Sequence, residues 1–506
     1  MKKTLFLVLL LIGSFFLVSC TNVQRDQGYT VLDVEDIIDK NIVISIKVRS
    51  GVVKTAVDDL VPKFYTYLEN KYGKKFITVE VKSVTGSYDD LRSTTVYDIN
   101  AKNKENIPDI IMGYPDHFAE YYSGGNLVNL QGFIEDKKVG FTKEELADFI
   151  QSYLPENRGF DVDENGLPTD DLYGLPFNKS TEVLVYNKTA MQALFGDNYL
   201  NKIPTTWAEV EQVGKEILEL VKQGKLDNVF EESVDDKGNV TYLKVSKYLD
   251  NKTFYPISYD SSDNGFITLI RQFGAEYTRR NNIFEGYVAF DNKQAKDAMK
   301  YFQKLRQDGI FGTAAVLGQD YNSNAMKLIQ VLMSIGSSAG VGYNTADKYQ
   351  YELGVAPIPY YDENYKYVIQ QGTNIAMLNW NTDEEKLAAW LFMKFLMEPE
   401  ITAEFAMATG GYLPVRTSAY NSPAYKEYLT NPTLDKKPHS QAANVALHSY
   451  IEKNYIFFVD PAFVGSSAIR KEAGKVFDSI IVNLEDVETR FKQAYNSLAP
   501  YVQKNS

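Results

Sequence analysis

A chain of 506 residues with a formal net charge of −13, 44% hydrophobic and 24% charged, has the composition of a folded globular protein and not of a disordered one. The acidic balance excludes nucleic acid or an anionic membrane surface as the main partner, because both need a dense cationic patch. A single cysteine excludes any disulfide within one copy.

Lys2 and Lys3 precede an apolar run over residues 5–18, too short to span a membrane and flanked like a secretory signal peptide. Residues 1–19 are therefore expected to direct export. Leu17-Val18-Ser19-Cys20 resembles the bacterial lipobox, which implies acylation of Cys20, a membrane anchor on the extracytoplasmic side and a tether over 20–37. Two or more acyl chains anchor stably where one is marginal. About 470 residues follow, more than one core usually organises, so two lobes are expected.

Residues 41–48 read as a buried strand, and 52–72 as a helix with an apolar stripe at Val53, Val57, Leu60, Phe64 and Leu68 and a stop at Gly73. Pro62 predicts a kink within that helix. Strands at 76–81 and 107–112 complete a β-α-β start to an α/β lobe. Ligands of open parallel sheets sit beyond the carboxyl ends of the strands, which points to Ser50 with Gly51, and to Tyr114 and Asp116.

The stretch 173–188 combines breakers at Gly174 and Pro176, a polar cluster from Asn178 to Thr181, and an apolar run from Val183 to Tyr186. A strand with amides and hydroxyls at one end can cross between lobes and present those groups in a cleft. Thr206 and Glu209 form a capping box that makes Trp207 a packing residue. Asp236-Lys237-Gly238-Asn239 suggests a hairpin turn within 225–250. The 255–265 stretch is polar and aromatic, 291–309 is an amphipathic helix, and 325–342 carries an apolar strand running into Ser337 and Ser338. Strands are expected at 353–359 and 374–378, and Thr382 opens a strongly apolar helix followed by a second one from Pro399 to the Gly410-Gly411 stop.

Four of these segments resemble the carbohydrate-type extracellular solute-binding proteins, family 1, of ABC importers. They are Leu175-Pro176-Phe177-Asn178 with the strand that follows, Gly86-Ser87-Tyr88-Asp89-Asp90-Leu91, Trp390-Leu391-Phe392-Met393-Lys394-Phe395-Leu396, and Thr409-Gly410-Gly411-Tyr412-Leu413-Pro414-Val415, which has one extra glycine. The resemblance covers about residues 41–500. It implies an α/β, two-lobed type II periplasmic-binding fold with hinge-crossing strands. One lobe is expected over 38–178 and 368–411, the other over 179–367 and 412–500. A monomer that is not an enzyme, needs no cofactor or metal, and delivers a carbohydrate to ABC permease subunits is implied with it. Tyr259 falls where relatives place an aromatic platform.

Sugars present hydroxyl edges and an apolar face, so their sites combine amide and hydroxyl partners with aromatic rings. The resemblance and this chemistry together nominate Asn178, Ser180, Thr181, Ser337, Ser338, Gln371, Gly372 and Tyr412, with Tyr114 and Tyr259 as platforms. Relatives that bind glycerol phosphates share these motifs and meet the phosphate with a late arginine. Residues 458–467 hold none before Arg470, so a bidentate anion clamp is not expected there, and Arg416 is the substitute.

Other classes leave weaker traces. Gly336-x-Ser338-x-Gly340 matches a nucleophile elbow, with Asp435 and His439 or His448 following in hydrolase order. Val341-Gly342-Tyr343-Asn344 is a poor helix start, however, and no oxyanion loop of the usual type is present. Asp161, Asp163, Asn165 and Gly166 match half of a calcium loop, but Leu172 stands where the bidentate glutamate belongs, which favours a turn. His117, His439 and His448 show no zinc spacing. A glycosidase carboxylate pair is defined only by separation in space.

Overall fold

The computed structural model describes residues 28–501; Cys20 and the expected signal peptide lie outside them. Among the described residues fourteen strands form in chain order: β1 (Ile42–Arg49), β2 (Ile77–Val84), β3 (Ile110–Gly113), β4 (Leu175–Asn187), β5 (Glu231–Val234), β6 (Val240–Tyr242), β7 (Tyr255–Tyr259), β8 (Thr278–Asn282), β9 (Glu285–Val288), β10 (Phe311–Thr313), β11 (Val331–Ser337), β12 (Leu353–Ala356), β13 (Tyr367–Met377) and β14 (Ile456–Phe458). One continuous path runs β10-β7-β11-β4-β13-β3-β1-β2, with β12 on β4 and β14 on β13. Two separate hairpins, β5-β6 and β8-β9, stand outside it.

In the first lobe β1 pairs in parallel with β2 and β3, the product of a β-α-β start. Its inward side chains Ile44, Ile46 and Val48 are buried, and so are Ser45 and Lys47 on the opposite face, because helices cover both sides. The buried Lys47 ammonium is satisfied by Asp98 at 2.9 Å. Helix Val52–Tyr72 continues past Pro62 as one element and ends at Gly73, whose φ of 83° closes a left-handed cap. Helix Asp383–Leu396 opens with the expected capping box at Thr382 and is buried from Lys386 through Met393. The Trp390 indole N–H donates to the Val139 carbonyl at 3.0 Å.

In the second lobe β7 pairs in parallel with β10 and β11, and β11 and β12 run antiparallel to the distal half of β4. Trp207 follows its capping box and is buried, with its N–H on the Gln272 amide oxygen at 2.8 Å. The β5-β6 hairpin forms around the expected turn.

Two strands belong to both lobes. Leu175 and Phe177 of β4 lie in the first core, and Val183, Leu184 and Val185 in the second. Ile375, Ala376 and Met377 of β13 lie in the first, and Val368 and Ile369 in the second. Between them β4 and β13 pair antiparallel, Gln370 opposite Thr181 through Thr373 opposite Asn178, with a register shift at Thr373/Asn374. The first half of β13 extends beyond the strand expected at 374–378, because its polar centre, Gln370 to Asn374, carries no apolar alternation.

Candidate functional site

A cavity of about 940 Å³ lies between the lobes, lined by both and by the second crossing strand; this is the upper end for small-molecule sites. Helices Tyr88–Asn100 and Pro115–Ser123 bring their first turns to it from one side, and Ser262–Gln272 and Ser466–Ile481 from the other. Helix starts carry backbone N–H groups without intrahelical partners, so they favour oxygen-rich ligands.

The first-lobe wall is aromatic. Tyr114 meets Tyr88 edge to face at 5.3 Å and His117 at 5.4 Å. Burial pushes the His117 imidazole down against the pull of Asp116, so it is neutral near pH 7. The second-lobe wall is ionic. Arg470 places Nε 2.7 Å from Asp263 and Nη1 2.9 Å from Asp460, and also donates to the Asn264 amide oxygen. Burial pushes both carboxyls up. Arg470, the Ser261 hydroxyl and the Asn264 amide outweigh it at Asp263, which ends below its ordinary value, whereas Asp460 stays above despite Arg470 and Arg271. Across the cleft, the Ser467 hydroxyl of one lobe donates to Asp116 of the other at 2.7 Å. Around the cavity, Asp89, Asp116, Glu120, Glu156, Asp263, Asp460 and Asp478 outnumber Arg92, Arg470, Lys471 and Lys475.

Of the residues nominated from sequence, Tyr114, Asp116, Gln371 and Gly372 line this cavity. The others are placed elsewhere. Asn178 is fully buried and accepts from the Thr373 hydroxyl. Ser180 meets the Ser337 hydroxyl at 3.5 Å. The Thr181 hydroxyl donates to the Ile369 carbonyl at 2.8 Å, and its N–H donates to Ser338. Together with Lys179, which is buried against Glu156 and donates to the Gly372 carbonyl at 3.1 Å, these groups tie the crossing strands to one another. The Ser50 hydroxyl is spent on Ser83 at 3.0 Å. Tyr412 stands behind the aromatic wall, its hydroxyl 3.3 Å from that of Tyr88. Tyr259, nominated as a platform, has no exposed face: its ring is in the second core and its hydroxyl donates to Glu182 at 2.5 Å.

Sequence reading missed Arg470, Asp263, Asp460, Ser467, Tyr277 and Thr278. Ser261-Ser262-Asp263 before the apolar residues Phe266, Ile267 and Ile270 does carry a helix-start signal, but nothing local marks Arg470. Arg416, the substitute anion partner, is buried against Asp148 at 2.9 Å and the Phe149 ring, away from the cavity. The Ser338 hydroxyl donates to the Gly411 carbonyl at 2.8 Å and is buried, so it is committed to structure and not poised as a nucleophile. In the half calcium loop, Asp163 accepts from the backbone N–H groups of Asn165 and Leu167 and forms a turn. Among the described residues no cluster of three or more His, Cys, Asp or Glu suits a metal ion, and no helix is long and apolar enough to cross a membrane.

Two α/β lobes joined by paired crossing strands around a cleft form the two-lobed periplasmic-binding fold. The profile of the bacterial extracellular solute-binding proteins matches residues 68–433, and the chain belongs to that family. It is 26% identical over 324 residues to the sn-glycerol-3-phosphate-binding periplasmic protein UgpB of Yersinia enterocolitica, a match spanning 62% of this chain and 62% of that relative's length. UgpB from Mycobacterium tuberculosis in complex with glycerophosphocholine superposes with a TM-score of 0.65 at 17% identity, covering 90% of this chain and 98% of that one. An ABC substrate-binding protein from Listeria monocytogenes in complex with cycloalternan gives 0.66 at 15% identity, over 91% and 99%.

Proposed function

We propose that this protein is a lipid-anchored, extracytoplasmic receptor that captures a neutral carbohydrate between its lobes and hands it to the permease of an ABC importer, without catalysis. Ligand that touches both walls favours the closed arrangement, because only then are its two faces buried at once. The lobes of this reading are 38–178 with 368–411, and 179–367 with 412–500, with the first residues of β13, Val368 and Ile369, packing in the second core as the strand crosses. Stacking surface from Tyr88 and Tyr114, and carboxylates that accept hydroxyl hydrogen bonds, suit a sugar.

The observation that carries the neutral assignment is Arg470. Asp263 and Asp460 already neutralise it, and a phosphate entering here would meet an excess of carboxylates around the cavity. The second reading, a glycerol phosphate ligand, is favoured by the names of the relatives and by the presence of an arginine in the cleft at all. Calorimetry separates the two. The carbohydrate reading expects micromolar binding of a mono- or oligosaccharide, about −8 kcal/mol, and none of sn-glycerol 3-phosphate. Tight binding of the phosphate, lost in Arg470→Ala, would overturn it.

A further inference from the structure

Two hydroxyls beside the cavity have no partner. Tyr277 is 3% exposed and Thr278 is 5% exposed; both residues line the cavity, and neither Tyr277 Oη nor Thr278 Oγ1 makes a hydrogen bond. Asp460 Oδ1, on the same wall, makes no hydrogen bond and has only the Arg271 guanidinium, 3.8 Å away, as a partner. Orphaned buried polar groups are uncommon, and each costs about 1–3 kcal/mol. Two such hydroxyls beside a cavity, next to a carboxylate oxygen with room for a further donor, therefore point to a ligand that supplies the partners.

Thr278 is also the first residue of the β8-β9 hairpin, and the hairpin stitches the two lobes together at this place. Its tip residue Ile283 is fully buried in the first-lobe core, although the strands that carry it spring from the second lobe. Phe284 packs on Tyr122 at 6.0 Å. The Ile283 carbonyl accepts from the Val464 N–H at 2.8 Å, and Arg280 donates to the carbonyls of Ala462 at 2.6 Å and Arg158 at 3.4 Å. The hairpin thus bridges the two lobes beside the cavity.

We infer that Tyr277, Thr278 and Asp460 form a terminal subsite that grips the hydroxyls of a sugar's chain end, and that the hairpin beyond them makes the cleft blind, so that only short saccharides bind, end-on. Tyr and Thr hydroxyls both donate and accept, and the Asp460 carboxylate accepts, which matches neighbouring sugar hydroxyls. This rests on the carbohydrate reading above.

The test is calorimetry with mono- to hexasaccharides of glucose, galactose, mannose and xylose, and with sn-glycerol 3-phosphate, on the wild type, Tyr277→Phe, Thr278→Val and Ile283→Ser. Thermal denaturation of each free protein accompanies it. The wild type is expected to bind a mono-, di- or trisaccharide at least tenfold more tightly than the matching hexasaccharide, and Ile283→Ser to narrow that gap. Tyr277→Phe and Thr278→Val are each expected to lose tenfold in affinity with no fall in melting temperature, since neither hydroxyl holds a bond in the free protein. Unchanged affinity in both, or affinity and melting temperature falling together, overturns the subsite and leaves the carbohydrate reading standing. Binding of the phosphate alone, or of nothing in the panel, overturns both.

Discussion

Glu182 sits on β4 just past the crossing, fully buried. Its Oε2 accepts from the hydroxyls of Tyr259 at 2.5 Å and Thr268 at 3.2 Å, while Oε1 has no partner. Burial pushes its carboxyl from 4.5 up to about 7, with the two hydroxyls pulling the other way. The folded carboxyl thus holds its proton more tightly than the unfolded one, and ionisation penalises the fold. No penalty exists below about 4.5; it grows as pH rises and is complete above about 7. From these two values it is under about 1 kcal/mol at pH 5 and about 3 kcal/mol at pH 8. Glu182→Gln keeps the shape and an acceptor for both hydroxyls, and it never ionises. Chemical denaturation followed by circular dichroism should therefore find the variant close to the wild type at pH 5 and more stable by about 3 kcal/mol at pH 8. Curves that stay parallel between these pH values would show that the carboxyl is not held protonated by its surroundings.

Gly372 has φ +96°, and a Cβ added there would lie 2.0 Å from the Asn178 carbonyl oxygen and 2.6 Å from Lys179 Cα. Gly372→Ala should cost at least about 1–3 kcal/mol by overpacking alone, measured by denaturation, and wild-type stability would refute the tight pairing of the crossing strands. Arg416→Ala should destabilise by about 1–3 kcal/mol, since it removes a buried guanidinium that packs on Phe149 and donates to Asp148, which keeps its bonds from Ser418, yet leave ligand affinity within about twofold by calorimetry; a selective loss of phosphate binding would return Arg416 to the site. Cys20→Ala should move the protein from the membrane fraction to the soluble one without unfolding it, and a variant that stays membrane-bound removes the lipobox reading.

Much of the secondary structure was legible because its signals are local. The stripe from Val53 to Leu68 with its Gly73 stop, and the capping boxes at Thr206 and Thr382, act within one helical turn, and each formed where the sequence places it. The apolar end of β4 and the order of four motifs were enough to indicate two lobes and the family. The direction of the polar side chains was not legible. Asn178, Ser180 and Thr181 have the right chemistry for a ligand, but their pairing with β13 turns that chemistry inward, onto Thr373, Ser337 and the Ile369 carbonyl. The first half of β13 was itself invisible, because a strand sheltered by β4 needs no apolar alternation. Asp116, Asp263, Asp460 and Arg470 are spread over some 350 residues of chain, and any one of them alone reads as a solvated surface charge. Composition and short-range periodicity determined the elements, and the resemblance of the motifs indicated the class of protein. The docking of two separately built cores decided which carboxylates face one arginine, and which hydroxyls are left beside the cavity, because such contacts depend on strand register and lobe packing and leave no mark within a few residues of sequence.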